Sequence, residues 1–97
     1  MLKKLTNDDD FNKIIEEGTW LVDFSATWCG PCRMLEPVLE EFSKDNQVLQ
    51  VDIDQFSELT SSFGIMSVPT LIVFKDGNKV VQDVGYRSID QLNELVK

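Results

Sequence analysis

The chain has 97 residues, 17 of them acidic against 9 Lys or Arg, giving a formal net charge of −8 at pH 7. This length suits one compact domain, and a hydrophobic content of 42% supplies a core without help from a metal or several disulfides. The acidic balance reads as a solubility feature and argues against nucleic-acid binding, and no segment is long and apolar enough to span a bilayer.

Met1-Leu2-Lys3-Lys4 carries the charge of a signal-peptide start, but Thr6-Asn7-Asp8-Asp9-Asp10 follows where an apolar stretch would have to stand. The simplest expectation is a soluble, cytoplasmic protein with no membrane attachment; a mature chain stripped of a targeting segment would read the same. Asp8-Asp9-Asp10 precedes Phe11, Ile14 and Ile15, as acidic residues do at a helix start, and Gly18 is expected to stop that helix. Trp20-Leu21-Val22-Asp23-Phe24 reads as a central strand buried on both faces, of the kind found in parallel sheets. Pro31 suits the first turn of the next helix, which should carry Met34, Leu35, Val38, Leu39 and Phe42 inward and kink at Pro37. Met34 and Phe42 are read as helix core rather than substrate contacts.

Val48–Ile53 is the next predicted strand, and a short helix around Ser57–Phe63 should end at Gly64. Thr70–Phe74 and Lys79–Val84 form a hairpin around Asp76-Gly77. Ser88 and Gln91 have the spacing of a capping box for a last helix whose apolar residues are Ile89, Leu92, Leu95 and Val96. The expected fold class is α/β: a mixed central β-sheet with helices on both faces, in a single domain covering residues 1–97.

Chemistry concentrates in Trp28-Cys29-Gly30-Pro31-Cys32, which holds both cysteines of the chain. Thiols three residues apart at a helix start can close a small ring, and Gly30-Pro31 keeps them close. They are unequal there: Cys29 meets the unpaired amides that favour a thiolate, while Cys32 lies one turn inward. The first is suited to attack a disulfide and the second to resolve the mixed disulfide. Zinc requires about four ligands, and a chain with two Cys and no His is poorly furnished for such a site. A structural disulfide or two inert buried thiols are weaker alternatives, because so short a loop gains little from closure. Asp23 has two readings: a carboxylate facing solvent from a half-buried strand, or a buried proton acceptor for Cys32 with a raised pKa.

Asp23-Phe24, Ala26, Trp28-Cys29-Gly30-Pro31-Cys32, Pro37, Val68-Pro69-Thr70, Asp76-Gly77 and Val84-Gly85 stand in an order and spacing that resemble the thioredoxin family over nearly the whole chain. The resemblance implies a thioredoxin-like fold and a protein-disulfide reductase in which Cys29 is the nucleophile, Cys32 the resolving thiol and Asp23 the buried carboxylate. It implies a cis-proline loop at Val68-Pro69, and a client-binding groove involving Trp28, Gly30, Pro31, Val68, Pro69 and Gly85, bordered also by Gly64-Ile65. From the residues alone, Trp28 is equally a surface tryptophan packed on its neighbours. The implied partners are disulfide-bearing client proteins and a flavin-containing, NADPH-dependent thioredoxin reductase. No cofactor is expected, since no nucleotide-binding fingerprint is present, and a monomer is the default.

Four positions depart from the family pattern. Ser25 replaces a frequent Trp and should make the groove rim more polar. Gln50 replaces a frequent Lys near the buried Asp, which should raise the pKa of Asp23 further. Arg33 preserves the positive charge usual after the second cysteine. Glu36 brings a carboxylate before Pro37 that could oppose thiolate formation at Cys29. Two other functions remain open: a redox-sensitive interaction module, in which turnover is incidental, and an isomerase or oxidase of the same fold, which the Gly-Pro dipeptide disfavours.

Overall fold

The computed structural model describes residues 1–97. Its elements in chain order are β1 (Leu2–Lys4), α1 (Phe11–Ile14), β2 (Thr19–Ser25), α2 (Gly30–Phe42), β3 (Gln47–Asp52), α3 (Ser57–Ser62), β4 (Thr70–Lys75), β5 (Asn78–Val84) and α4 (Ile89–Leu95). The five strands form one sheet in the order β1-β3-β2-β4-β5. β3 runs parallel to both β1 and β2, whereas β4 is antiparallel to β2 and β5, so the sheet is mixed.

Alternation along β2 divides the core into two. Trp20, Val22 and Phe24 join Leu49, Val51, Ile72 and Phe74 on one face, where α1 and α3 contribute Phe11, Ile14, Leu59 and the adjoining Phe63. The Phe63 ring lies 5.8 Å from those of Phe11 and Phe24 and 5.6 Å from that of Phe74, in the tilted and edge-on arrangements that aromatic quadrupoles favour. Leu21, Val48, Leu71 and Val73 point the other way and pack on Leu35, Leu39 and Phe42 of α2 and Leu92 of α4. Helices therefore cover both faces. Asp23 shares the parity of Leu21, which aims its carboxyl at the layer under α2.

Several sequence expectations need correction. β1 was not anticipated. α1 is a single turn capped by Asp10, whose side chain accepts the Lys13 amide, and it ends at Ile15 rather than at Gly18. Gly18, at φ +79°, instead meets the hairpin: its amide donates to Asp76 Oδ1 at 2.8 Å, and its carbonyl accepts the Asp76 amide at 2.9 Å. Met34 is 67% exposed on α2, so it is not core, while Phe42 is buried. Pro37 does lie inside α2, which spans Gly30–Phe42. At the hairpin, Asp76 and Gly77 both have positive φ, 50° and 84°, as a two-residue type I′ turn requires. The capping box of α4 forms in both directions between Ser88 and Gln91.

Candidate active site

Cys29 is the N-cap of α2. It holds extended backbone, and its Sγ accepts the Cys32 amide at 3.2 Å. Orphan amides and the positive end of the helix dipole converge on this sulfur, which is where negative charge is best stabilised. Pro31, in the first turn, has no amide to leave unsatisfied. The cysteines are joined as a disulfide with Cα atoms 5.2 Å apart. Both are buried, at 6% and 3% exposure, so the difference between them lies in their surroundings more than in depth.

Cys29 faces an apolar groove of about 510 Å³ that Trp28, Gly30, Pro31 and Val68 also line. Ile53, Ile65 and Met66 complete its apolar wall, and Met66 is almost fully exposed. Trp28 is 65% exposed, with its indole Nε1 donating to Asp54 Oδ2 at 2.9 Å. The Val68-Pro69 peptide is cis, and the Val68 carbonyl oxygen lies 3.7 Å from Cys29 Sγ. Pro69 itself is buried, and its carbonyl accepts the Gly85 amide at 2.8 Å. Gly85 and Gly64 do not line the groove, which Ile65 does reach.

Cys32 faces a separate, polar cleft of about 180 Å³, lined also by Ser25, Arg33, Glu36, Gln50 and Asp52. One expectation changes here. Ser25 belongs to this cleft and not to the groove rim. Glu36 lines the cleft on the Cys32 side, and its charge acts on Asp23. Asp23 is wholly buried, which excludes the solvent-facing alternative. Its Oδ2 accepts Gln50 Nε2 at 3.3 Å, across the β2–β3 register that pairs the two residues, and its Oδ1 has no partner. Burial raises its pKa to about 7; the Gln50 hydrogen bond pulls down and the Glu36 charge pushes up. Gln50 thus withholds a cation and yet still supplies one stabilising hydrogen bond.

A disulfide at a helix N-terminus, opening on an apolar groove, in a chain that also buries a carboxyl whose pKa is pushed up to about 7, is the arrangement of a protein-disulfide oxidoreductase. The family model for thioredoxin matches residues 2–97. Thioredoxin from Listeria monocytogenes is 44% identical over 100 residues, covering 99% of this chain and 96% of that protein. Thioredoxin from Staphylococcus aureus is 45% identical over 93 residues, covering 92% and 89%. Among solved structures, a variant thioredoxin from Halobacterium salinarum superposes with a TM-score of 0.91 at 35% identity, covering 98% of this chain and 87% of that one. The oxidised thioredoxin of Plasmodium falciparum gives 0.85 at 36% identity, covering 99% and 95%. The chain belongs to the thioredoxin family.

Sequence reasoning passed over Asp54, Ile53 and Met66. The indole partner Asp54 lies 26 residues beyond Trp28, on a loop that no local pattern ties to it. Met66 carried one available signal, an apolar residue two positions before Val68 and just outside any predicted element.

Proposed function

We propose that residues 1–97 act as one domain that reduces client disulfides, with Cys29 as nucleophile and Cys32 as resolving thiol. In the reduced form, Cys29 thiolate attacks one sulfur of a client disulfide. The client's S–S bond breaks, a mixed disulfide forms, and a client thiolate leaves. Cys32, surrendering its proton toward Asp23, then attacks Cys29 Sγ. The Cys29–Cys32 bond closes, the second client thiolate departs, and one electron pair has passed from the dithiol to the client. Trp28, Gly30, Pro31 and Val68 supply the apolar surface on which the client chain lies, with Pro69 and Gly85 supporting it from behind.

The observation that carries this reading is the position of Cys29 Sγ, capping α2 and facing the groove, while Cys32 faces the separate cleft lined by Gln50, whose amide donates to the buried Asp23. Regeneration calls for an external two-electron donor, and the reading assigns that task to a flavin-containing, NADPH-dependent thioredoxin reductase. Such a cycle belongs in a reducing compartment, which for this chain we take to be the cytoplasm.

The test is a trapping experiment. Cys32→Ser should accumulate a mixed disulfide with client through Cys29, and Cys29→Ser should abolish both trapping and turnover. Client reduction that survives Cys29→Ser removes the mechanism. The reduction potential of the pair should lie at the reducing end, roughly −270 mV; roughly −180 mV would favour isomerase or oxidase work instead.

A further inference from the structure

β5 ends at Val84, and the cap of α4 is Ser88, so Gly85, Tyr86 and Arg87 carry the chain between them. Arg87 folds back over this turn. Its Nε donates to Asp83 Oδ2 at 2.8 Å, and its Nη2 to Asp83 Oδ1 at 2.7 Å. Its Nη1 donates to the Tyr86 carbonyl at 2.7 Å, and Asp83 Oδ1 accepts the Val84 amide at 3.0 Å. Three guanidinium nitrogens are thus engaged within one five-residue loop. A two-point fork of this kind fixes a plane and an orientation, which an ordinary exposed ion pair does not. Both side chains are also partly sheltered, at 26% and 33% exposure.

Gly85 sits inside the closed loop at φ +102°, a conformation that side chains resist, and a Cβ there would come within 3.4 Å of Arg87 Nη1. The Gly85 amide holds the Pro69 carbonyl at 2.8 Å, and Pro69 follows the Val68 whose carbonyl lies 3.7 Å from Cys29 Sγ. The fork thus closes the turn around Gly85, and one hydrogen bond, Gly85 N–H to the Pro69 carbonyl, ties that turn to the backbone segment beside the reactive sulfur.

We propose that Asp83 and Arg87 are positioning residues for client binding. They hold the Gly85 loop and, through the Gly85–Pro69 hydrogen bond, set the Val68–Pro69 segment on which a client chain lies. This rests on the reading of Val68 and its neighbours as client-binding surface. Their polar contacts all lie within residues 83–87, so the pair acts on client affinity and leaves the sulfur chemistry alone.

The experiment measures steady-state reduction of an unfolded, disulfide-bonded protein and of a small aromatic disulfide, with dithiothreitol as the electron source. Asp83→Asn and Arg87→Leu should each raise KM for the protein client about three- to tenfold with kcat unchanged, and leave the small disulfide unaffected. The double variant should be no worse than either single, because both remove one interaction. Arg87→Lys, which keeps the charge but loses the fork, should resemble Arg87→Leu. Hydrogen exchange at the Gly85 amide should accelerate in each, while the Leu49 amide in β3 keeps its protection. A KM that stays at the wild-type value, additive losses in the double variant, or equal losses on both substrates would each overturn the proposal. Met66→Glu serves as the control for the groove. If it raises KM while the fork variants do not, the fork alone is refuted; if none of them changes KM, the groove reading falls and this inference with it.

Discussion

Asp23 owes its position to strand parity and its chemistry to the shortage of polar neighbours. One oxygen has Gln50 and the other has nothing, so ionisation is opposed and the pKa settles at about 7. The folded-state value exceeds that of the unfolded chain, about 3.9, so the folded protein binds the extra proton between these limits. Stability consequently falls as pH rises from about 4 through about 7, and the full cost of the buried charge is present above that window. Asp23→Ala should therefore be the more stable protein at pH 8, by up to about 4 kcal/mol in denaturant melts less the cost of the cavity left by the carboxyl, with the advantage fading toward pH 4. If Asp23 is the proton acceptor proposed above, the same variant should resolve mixed disulfides at least about tenfold more slowly. Glu36→Gln removes the like charge and should shift Asp23 downward, as should Gln50→Lys, which adds a cation across the same register. NMR titration of the Asp23 carboxyl carbon reads both; an upward shift in either would contradict the arrangement of the cleft.

Elements were legible in proportion to how local their causes are. The α4 capping box was readable because Ser88 and Gln91 satisfy each other's backbone across three residues, and Ser88→Ala should cost about 1 kcal/mol in chemical denaturation. Asp76-Gly77 announced its turn for the same reason. β1 stayed hidden: its three residues include two lysines, and only the register beside β3 makes them a strand. Gly18 was misassigned because its partner, Asp76, lies 58 residues away. Met34 has helical spacing for the core, but α2 packs through Leu35, Leu39 and Phe42 and leaves that flank bare. The site divides in the same way. Cys29, Cys32 and Asp23 could be singled out from residue type and neighbours, and Val68-Pro69 through the family resemblance. The Gln50–Asp23 and Trp28–Asp54 bonds and the Asp83–Arg87 fork needed distances. Nothing in the spacing assigned Ser25 and Glu36 to the Cys32 cleft rather than to the Cys29 groove.

At the scale of the whole molecule, the net charge of −8 and the apolar groove proposed to bind clients act over different ranges. No charged side chain lines that groove, so once a client is seated its contacts are short-ranged and insensitive to salt. The approach of a client is another matter, because it passes through the field of the entire acidic surface before any contact forms. Screening shortens that field from about 30 Å at 0.01 M salt to about 8 Å at 0.15 M. Opposite-charge clients should thus be steered in at low salt and lose the advantage as salt rises, whereas acidic clients should gain. The expected result is that kcat/KM for a strongly basic unfolded client falls several-fold over that salt range while kcat stays level, and that an acidic client of similar length shows the reverse trend. Parallel salt dependence for both clients would mean that charges close to the groove, rather than the net charge of the molecule, govern encounter.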